Sequence, residues 1–264
     1  MDEKTIQTDA PYVLRTDRNG ATTLTLNRAE RFNPLSEEML AALQKEIVSI
    51  ASDATVRVVV LAAEGRAFCA GHDLKQMRAS PSAAYYKKLF DQCSKLMLAI
   101  QQMPQPVIAR VQGIATAAGC QLVAMCDLAV ASTEARFAVS GVNYGLFCST
   151  PSVALSRNVP RKQAMEMLLT GDFIDAETAL ERGLVNRVAQ ADALDDEVEK
   201  LIAAIIAKPA VAIAMGKQMF YRQAEMGVAA AYQLAGETMA CNMMDEAALE
   251  GVQAFIDKRK PSWG

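Results

Sequence analysis

Three observations predict an α/β fold with a largely parallel sheet. Largely apolar runs occur at "VRVVVLAA" (56–63) and "VIARV" (107–111), segments of helical period lie between them, and strand–helix alternation continues through "DLAVAS" (127–132) and "LVNRVA" (184–189). A strand that is apolar at every position, and not at alternate ones, is buried on both faces, as in a sheet covered by helices on each side.

The elements follow in order. "YVLRTDRNGATTLTLNR" (12–28) carries two β-prone runs around Asp17 to Gly20, and its Asn-Gly pair signals a hairpin. Ser36 then precedes "EEMLAALQKEIVSI", where Leu40, Leu43, Ile47 and Ile50 recur at helical spacing and Glu37 and Glu38 suit a first turn. A second helix is predicted over 82–103, ended by Pro104 and Pro106 before the next buried strand. From Pro209 onward strand signals stop. Residues 210–260 are rich in Ala, Met and Glu, all strong helix formers, and this apolar helical tail is expected to pack on the core or on another subunit. The chain therefore divides into a core, 1–205, and a helical C-terminal region, 206–264.

Composition narrows the function. With 264 residues, 52% hydrophobic and 22% charged, the chain can bury a large core as one globular domain with a terminal appendage. A net charge of -3 without a basic block sets nucleic acid aside as a partner. No apolar run approaches the roughly 18 residues of a membrane span. The polar, acidic opening "MDEKTIQTDAPYV" does not resemble a signal or transit peptide, so a cytoplasmic location is expected. The six cysteines form no C-x-x-C pair, and one histidine is too few for the usual zinc sites, so no metal is expected and the thiols are read as free and mostly buried.

That one histidine, His72, lies in "AFCAGHDL" (67–74). Setting "VVVLAAEGRAFCAGHDL" beside "PVIARVQGIATAAGCQL" reveals one plan twice: buried strand, glycine, small residues, then a second glycine as a helix opens. Each turn delivers a helix N-terminus whose free N–H groups favour negative charge, and the two are expected to converge on one oxygen. Ala115, Ala117, Ala118 and Gly119 would allow close approach of a ligand; they would equally serve tight packing.

At these segments the chain resembles the crotonase (enoyl-CoA hydratase/isomerase) superfamily. "GRAFCAGHDLKQM" matches its first oxyanion-hole loop and "PVIARVQGIATAAGCQLVAMCDLAVAS" its second, with further likeness in "EMLLTGDFIDAETALERGLVNRV" and "FIDKRK". "GHDL", "AAGCQLVA", "GLFCSTP" and "VPRK" resemble most the group called enoyl-CoA hydratase domain-containing protein three. The resemblance implies a spiral of ββα units followed by a helical trimerisation region, assembled as a homotrimer or a dimer of trimers. It implies no tightly bound cofactor; coenzyme A enters as part of an acyl thioester substrate. The backbone N–H groups of His72 and Ala118 would hold the thioester oxygen, a contribution that any residue type can make and that is worth about 10² to 10³ in rate per donor.

The same resemblance exposes a departure. Hydratases of the family use two glutamates, and this chain places Gln121 and Gly141 at those positions. Glutamine does not titrate near neutral pH and glycine has no side chain, so the general acid and base of hydration, each worth about 10² to 10⁴, are missing. Hydration is therefore expected to be weak, while an enolate-stabilising site persists. Tyr144, Cys148, Ser149 and Thr150 are expected to face the acyl carbons, and a Cys148 thiolate would need a nearby cation to be activated. Asp73 is read as an acceptor for loop N–H groups. For coenzyme A, Arg28, Arg66, Ala67, Lys75, Phe255 and Lys258 match family positions. Three readings result: an enoyl-CoA hydratase/isomerase-like enzyme with atypical chemistry, a decarboxylase-like activity on malonyl-type thioesters, which needs no carboxylate base, and a non-catalytic acyl-CoA binder or interaction subunit.

Overall fold

The computed structural model describes residues 10–79 and 81–263. The chain opens with the hairpin of β1 (Val13–Arg18) and β2 (Ala21–Leu26), antiparallel with Val13 opposite Leu26. Its two loop residues, Asn19 and Gly20, have φ of 51° and 80°, the positive values that a tight hairpin turn of the correct twist demands. In α1 (Glu37–Ala51) the Ser36 hydroxyl accepts from the Met39 N–H, closing the first turn, and Leu40, Leu43, Ile47 and Ile50 are buried.

Three successive units then repeat one pattern. β3 (Val58–Ala63) is followed by β4 (Ala67–Cys69), α2 (Leu74–Ala79) and α3 (Ala83–Gln102); β5 (Val107–Val111) by β6 (Ile114–Thr116) and α4 (Ala118–Met125); β7 (Leu128–Ser132) by β8 (Arg136–Ala138) and α5 (Ser149–Asn158). The longer strand of each unit enters a six-stranded sheet of order β1-β2-β3-β5-β7-β10, and the shorter enters a four-stranded sheet of order β4-β6-β8-β9. Among the described residues, only β1/β2 and β8/β9 pair antiparallel. The result is a spiral of ββα units. The remaining elements are α6 (Arg161–Thr170), β9 (Ile174–Asp175), α7 (Ala176–Glu181), β10 (Arg187–Ala189) and α8 (Leu194–Ile206).

The continuous apolar runs have two destinations. Val59 and Leu61 of β3 join the main core with Leu24, Phe68 and Phe137, while Val58 and Val60 join Ile108, Val130 and the α8 residues Leu194, Val198 and Ile202 on the opposite face. Each such side chain contributes about 1.5–3 kcal/mol relative to exposure, which is why neither face of β3 carries a polar residue.

Three helices complete the described chain: α9 (Ala210–Ala224), α10 (Val228–Met243) and α11 (Glu246–Ile256). Helix α9 is tied to the core by Lys217, whose Nζ donates to Asp127 Oδ2 at 2.7 Å and to the carbonyls of Ile100 and Gln105 at 2.9 Å. Helix α10 buries no residue, and Tyr232 and Met239 on it are at least 70% exposed. None of the described helices is long and apolar enough to cross a membrane.

Candidate active site

The two glycine turns meet. Gly71 has φ of 89°, and a Cβ built there would lie 3.0 Å from Ala117 Cβ, 3.1 Å from Thr116 O and 3.3 Å from Ala118 N, so only glycine lets the first turn seat against the second. Ala118 is the first residue of α4, where backbone N–H groups have no intrahelical acceptor, and the preceding Ala117 holds a positive φ of 51°. Both turns open on a cavity of about 190 Å³.

Ala70, His72, Ala117 and Ala118 form one wall of that cavity; Leu74 and Met77 of α2 and Phe90 of α3 form a second; Ser140, Gly141, Tyr144 and residues 146–151 form the third. Among the described residues, no lysine, arginine, aspartate or glutamate lines it. A larger hollow of about 330 Å³, between the end of α1 and the start of α9, contains none of the candidate residues.

His72 is held from two sides. Its Nδ1 lies 3.1 Å from the Leu35 carbonyl, and its ring packs on Phe90 with centroids 5.6 Å apart. A carbonyl only accepts, so Nδ1 carries the proton and Nε2 the lone pair; Nε2 is buried and has no partner. Burial holds the imidazole below its ordinary value, opposed only by the Leu35 hydrogen bond. Next to it, Asp73 is a local organiser: Oδ1 accepts the N–H groups of Lys75 and Gln76 at 3.0 and 3.1 Å, and Oδ2 pairs with Arg31 at 2.5 Å.

On the facing wall, Cys148 Sγ accepts the Gly141 N–H at 3.3 Å. Burial pushes this thiol up, and the Gly141 hydrogen bond offsets only part of that, so the thiolate is disfavoured. No room exists for a longer side chain at Gly141, because a Cβ there would overlap the Leu146 carbonyl oxygen and lie 2.7 Å from Cys148 Sγ.

Of the candidate residues, His72, Ala118, Gly141 and Cys148 share this cavity, together with Tyr144, Ser149 and Thr150. Gln121 is buried in α4, its Oε1 without a partner, and is not part of the wall. The coenzyme A candidates lie elsewhere. Arg28 is buried, stacked 3.7 Å from the centre of the Tyr12 ring, and donates to the carbonyls of Ala10, Pro11 and Asn27. Arg66 is exposed with its guanidinium over Phe32 at 4.6 Å, and the Ala67 carbonyl accepts from Asn33 and Gln112. The Lys75 side chain is exposed, Phe255 near the end of α11 is 84% exposed, and Lys258 follows that helix with φ of 54°. Leu74, Met77 and Phe90 were not marked by their pattern, since apolar residues on helices read equally well as core. Cys69, Cys93, Cys120 and Cys126 are buried free thiols, and Cys241 is exposed.

The family model for enoyl-CoA hydratase/isomerase matches residues 16–264. The chain belongs to the enoyl-CoA hydratase/isomerase family. Within it, the chain is 46% identical over 253 residues, 96% of its length and 86% of the relative's, to enoyl-CoA hydratase domain-containing protein 3, mitochondrial, of Xenopus laevis. A crystal structure described as an enoyl-CoA hydratase of Mycobacterium smegmatis superposes with a TM-score of 0.95 at 64% identity, covering 96% of this chain and 99% of that one. The crystal structure of human enoyl-CoA hydratase domain-containing protein 3 superposes with a TM-score of 0.92 at 42% identity, over 96% and 100% of the two chains. The spiral is thus the crotonase fold. One expectation is corrected by these names: the Xenopus, rat and human relatives are called mitochondrial, which overturns the cytoplasmic location. A compartment is set by a removable leader, so the composition of the opening residues was a poor guide to it.

Proposed function

We propose that the cavity binds the acyl end of a coenzyme A thioester and stabilises negative charge on its carbonyl oxygen through the backbone N–H groups of His72 and Ala118. The observation that carries this is the seating of Gly71 against Ala117 and Ala118, with His72 and Ala118 lining the same cavity. Preorganised backbone donors need no side-chain charge and no reorganisation as charge develops. Hydration needs more: a base to activate water and an acid to protonate the α-carbon. With Gln121 and Gly141 at the two positions in question and a protonated thiol beside the latter, the site is read as an enolate-stabilising one in which hydration is weak.

Arg28, Arg66, Ala67, Lys75, Phe255 and Lys258 remain the proposed contacts for the coenzyme A moiety. The exposed apolar residues of α10 and α11, including Tyr232, Met239 and Phe255, support assembly with further copies of the chain, as a homotrimer or a dimer of trimers.

Calorimetry with butyryl-CoA and its S-butyl analogue, identical apart from the missing carbonyl oxygen, tests the reading. Two backbone donors worth about 0.5–1.5 kcal/mol each should make the thioester bind about five- to 150-fold tighter. Equal affinities would contradict an oxyanion hole.

A further inference from the structure

The cavity contains an acceptor that none of the described residues satisfies. His72 Nε2 is buried without a partner, and the tautomer that leaves it bare is fixed from outside the cavity, where Nδ1–H donates to the Leu35 carbonyl at 3.1 Å. The carbonyl belongs to the residue just before the cap of α1, and His72 forms a β-bridge with that same residue, so ring and backbone are held by one residue. A buried lone pair without a donor costs about 1–3 kcal/mol, which an occupant bringing an O–H or a bridging water would recover.

Polar groups elsewhere on the wall are uncharged. Ser140 Oγ shares a hydrogen bond with Thr116 Oγ1 at 2.9 Å, Ser149 and Thr150 are hydroxyls, and the remaining titratable members are Tyr144 and the protonated Cys148. Asp73 and Arg31, the charged groups beside His72, neutralise each other at 2.5 Å outside the lining. A carboxylate entering this cavity would therefore lose its water without meeting a cation, whereas an apolar or hydroxyl-bearing chain would not.

We propose that His72, fixed as the Nδ1–H tautomer by Leu35, is the specificity-determining acceptor of this pocket, which takes uncharged acyl chains in preference to chains ending in a carboxylate. The inference rests on the acyl-CoA reading above and narrows it to a substrate class.

Isovaleryl-CoA and malonyl-CoA form a near-isosteric pair, an isopropyl group replacing a carboxylate. Their affinities, with free coenzyme A as reference, are measured on the wild-type protein by calorimetry at neutral pH, while the single histidine, labelled with nitrogen-15, reports tautomer and charge by NMR. Isovaleryl-CoA binding at least about tenfold tighter than malonyl-CoA, with the ring staying in its Nδ1–H form, is the expected result. Equal or tighter malonyl-CoA binding, protonation of the ring on its arrival, or loss of carbon dioxide from it would overturn the proposal and leave the acyl-CoA reading standing. Failure of both thioesters to bind better than free coenzyme A would overturn that reading, and the selectivity with it.

Discussion

Cys148 Sγ occupies the space that a side chain at position 141 would need: it accepts the Gly141 N–H at 3.3 Å and lies 2.7 Å from where a Cβ on that residue would be. The loop leaves no room for a side chain at position 141, and burial disfavours the thiolate of the cysteine that fills the space.

Restoring the carboxylates should therefore fail. Gly141→Glu, alone or with Gln121→Glu, is expected to leave hydration at the wild-type level and to destabilise the fold by about 1–3 kcal/mol through overpacking. Urea unfolding and an enoyl-CoA hydration assay on the same preparations check both halves; recovery of hydration would show that the loop reopens freely.

The thiols should rank by exposure. Cys241 is exposed, whereas burial raises Cys69, Cys93 and Cys120 to about 12 and also raises Cys148. Iodoacetamide at mildly alkaline pH should modify Cys241 first, as mapped by peptide mass spectrometry, and Cys148 alkylating as fast as Cys241 would reveal an activated nucleophile.

Stability just below neutral pH should depend on His72. The His72 pKa is lowered in the folded state, so the unfolded chain binds the proton more readily; the contribution is fully present above the unfolded value of 6.5 and is lost as pH falls towards the folded one. Between neutral pH and pH about 5, the unfolding free energy should decline with a slope of at most about 1.4 kcal/mol per pH unit. The His72→Gln variant should lack this slope. An unchanged slope in the variant would mean that the ring is not desolvated.

Helix α9 should depend on its buried ion pair. Lys217 is 5% exposed and satisfies Asp127 and two carbonyls, while Asp127 also accepts from the Val107 N–H at 2.7 Å and the Tyr221 hydroxyl at 2.9 Å. Lys217→Met leaves that carboxylate buried without its cation, and a loss of about 3–5 kcal/mol is expected in denaturant unfolding. A loss under about 1 kcal/mol, the range of exposed pairs, would place the pair in solvent.

Local chemistry was readable where it is local. The Asn19-Gly20 turn, the Ser36 cap and the fully buried β3 each follow from a few adjacent residues, and the two glycine turns from their small side chains. Strands β4, β6 and β8 are three residues long, too short for a period to show, so the second sheet was invisible in pattern. The carbonyl partners of Arg28 were not legible, because a cation in a loop gives no hint that residues 10 and 11 return to accept from it. Lys217 and Asp127 are 90 positions apart, and nothing in an Ala- and Met-rich helix singles out one lysine as buried. That Gly141 has no side chain is plain in the sequence, but only packing shows Cys148 in the space beside it.

Turnover of crotonyl-CoA by the purified protein, followed by loss of the enoyl thioester and product mass spectrometry, tests the central claim most directly. The thioester should bind while hydration stays well below the usual enzymatic range of about 1 to 10³ per second. Hydration within that range would contradict the account, because an acid and a base would then be working in a cavity that no described carboxylate lines.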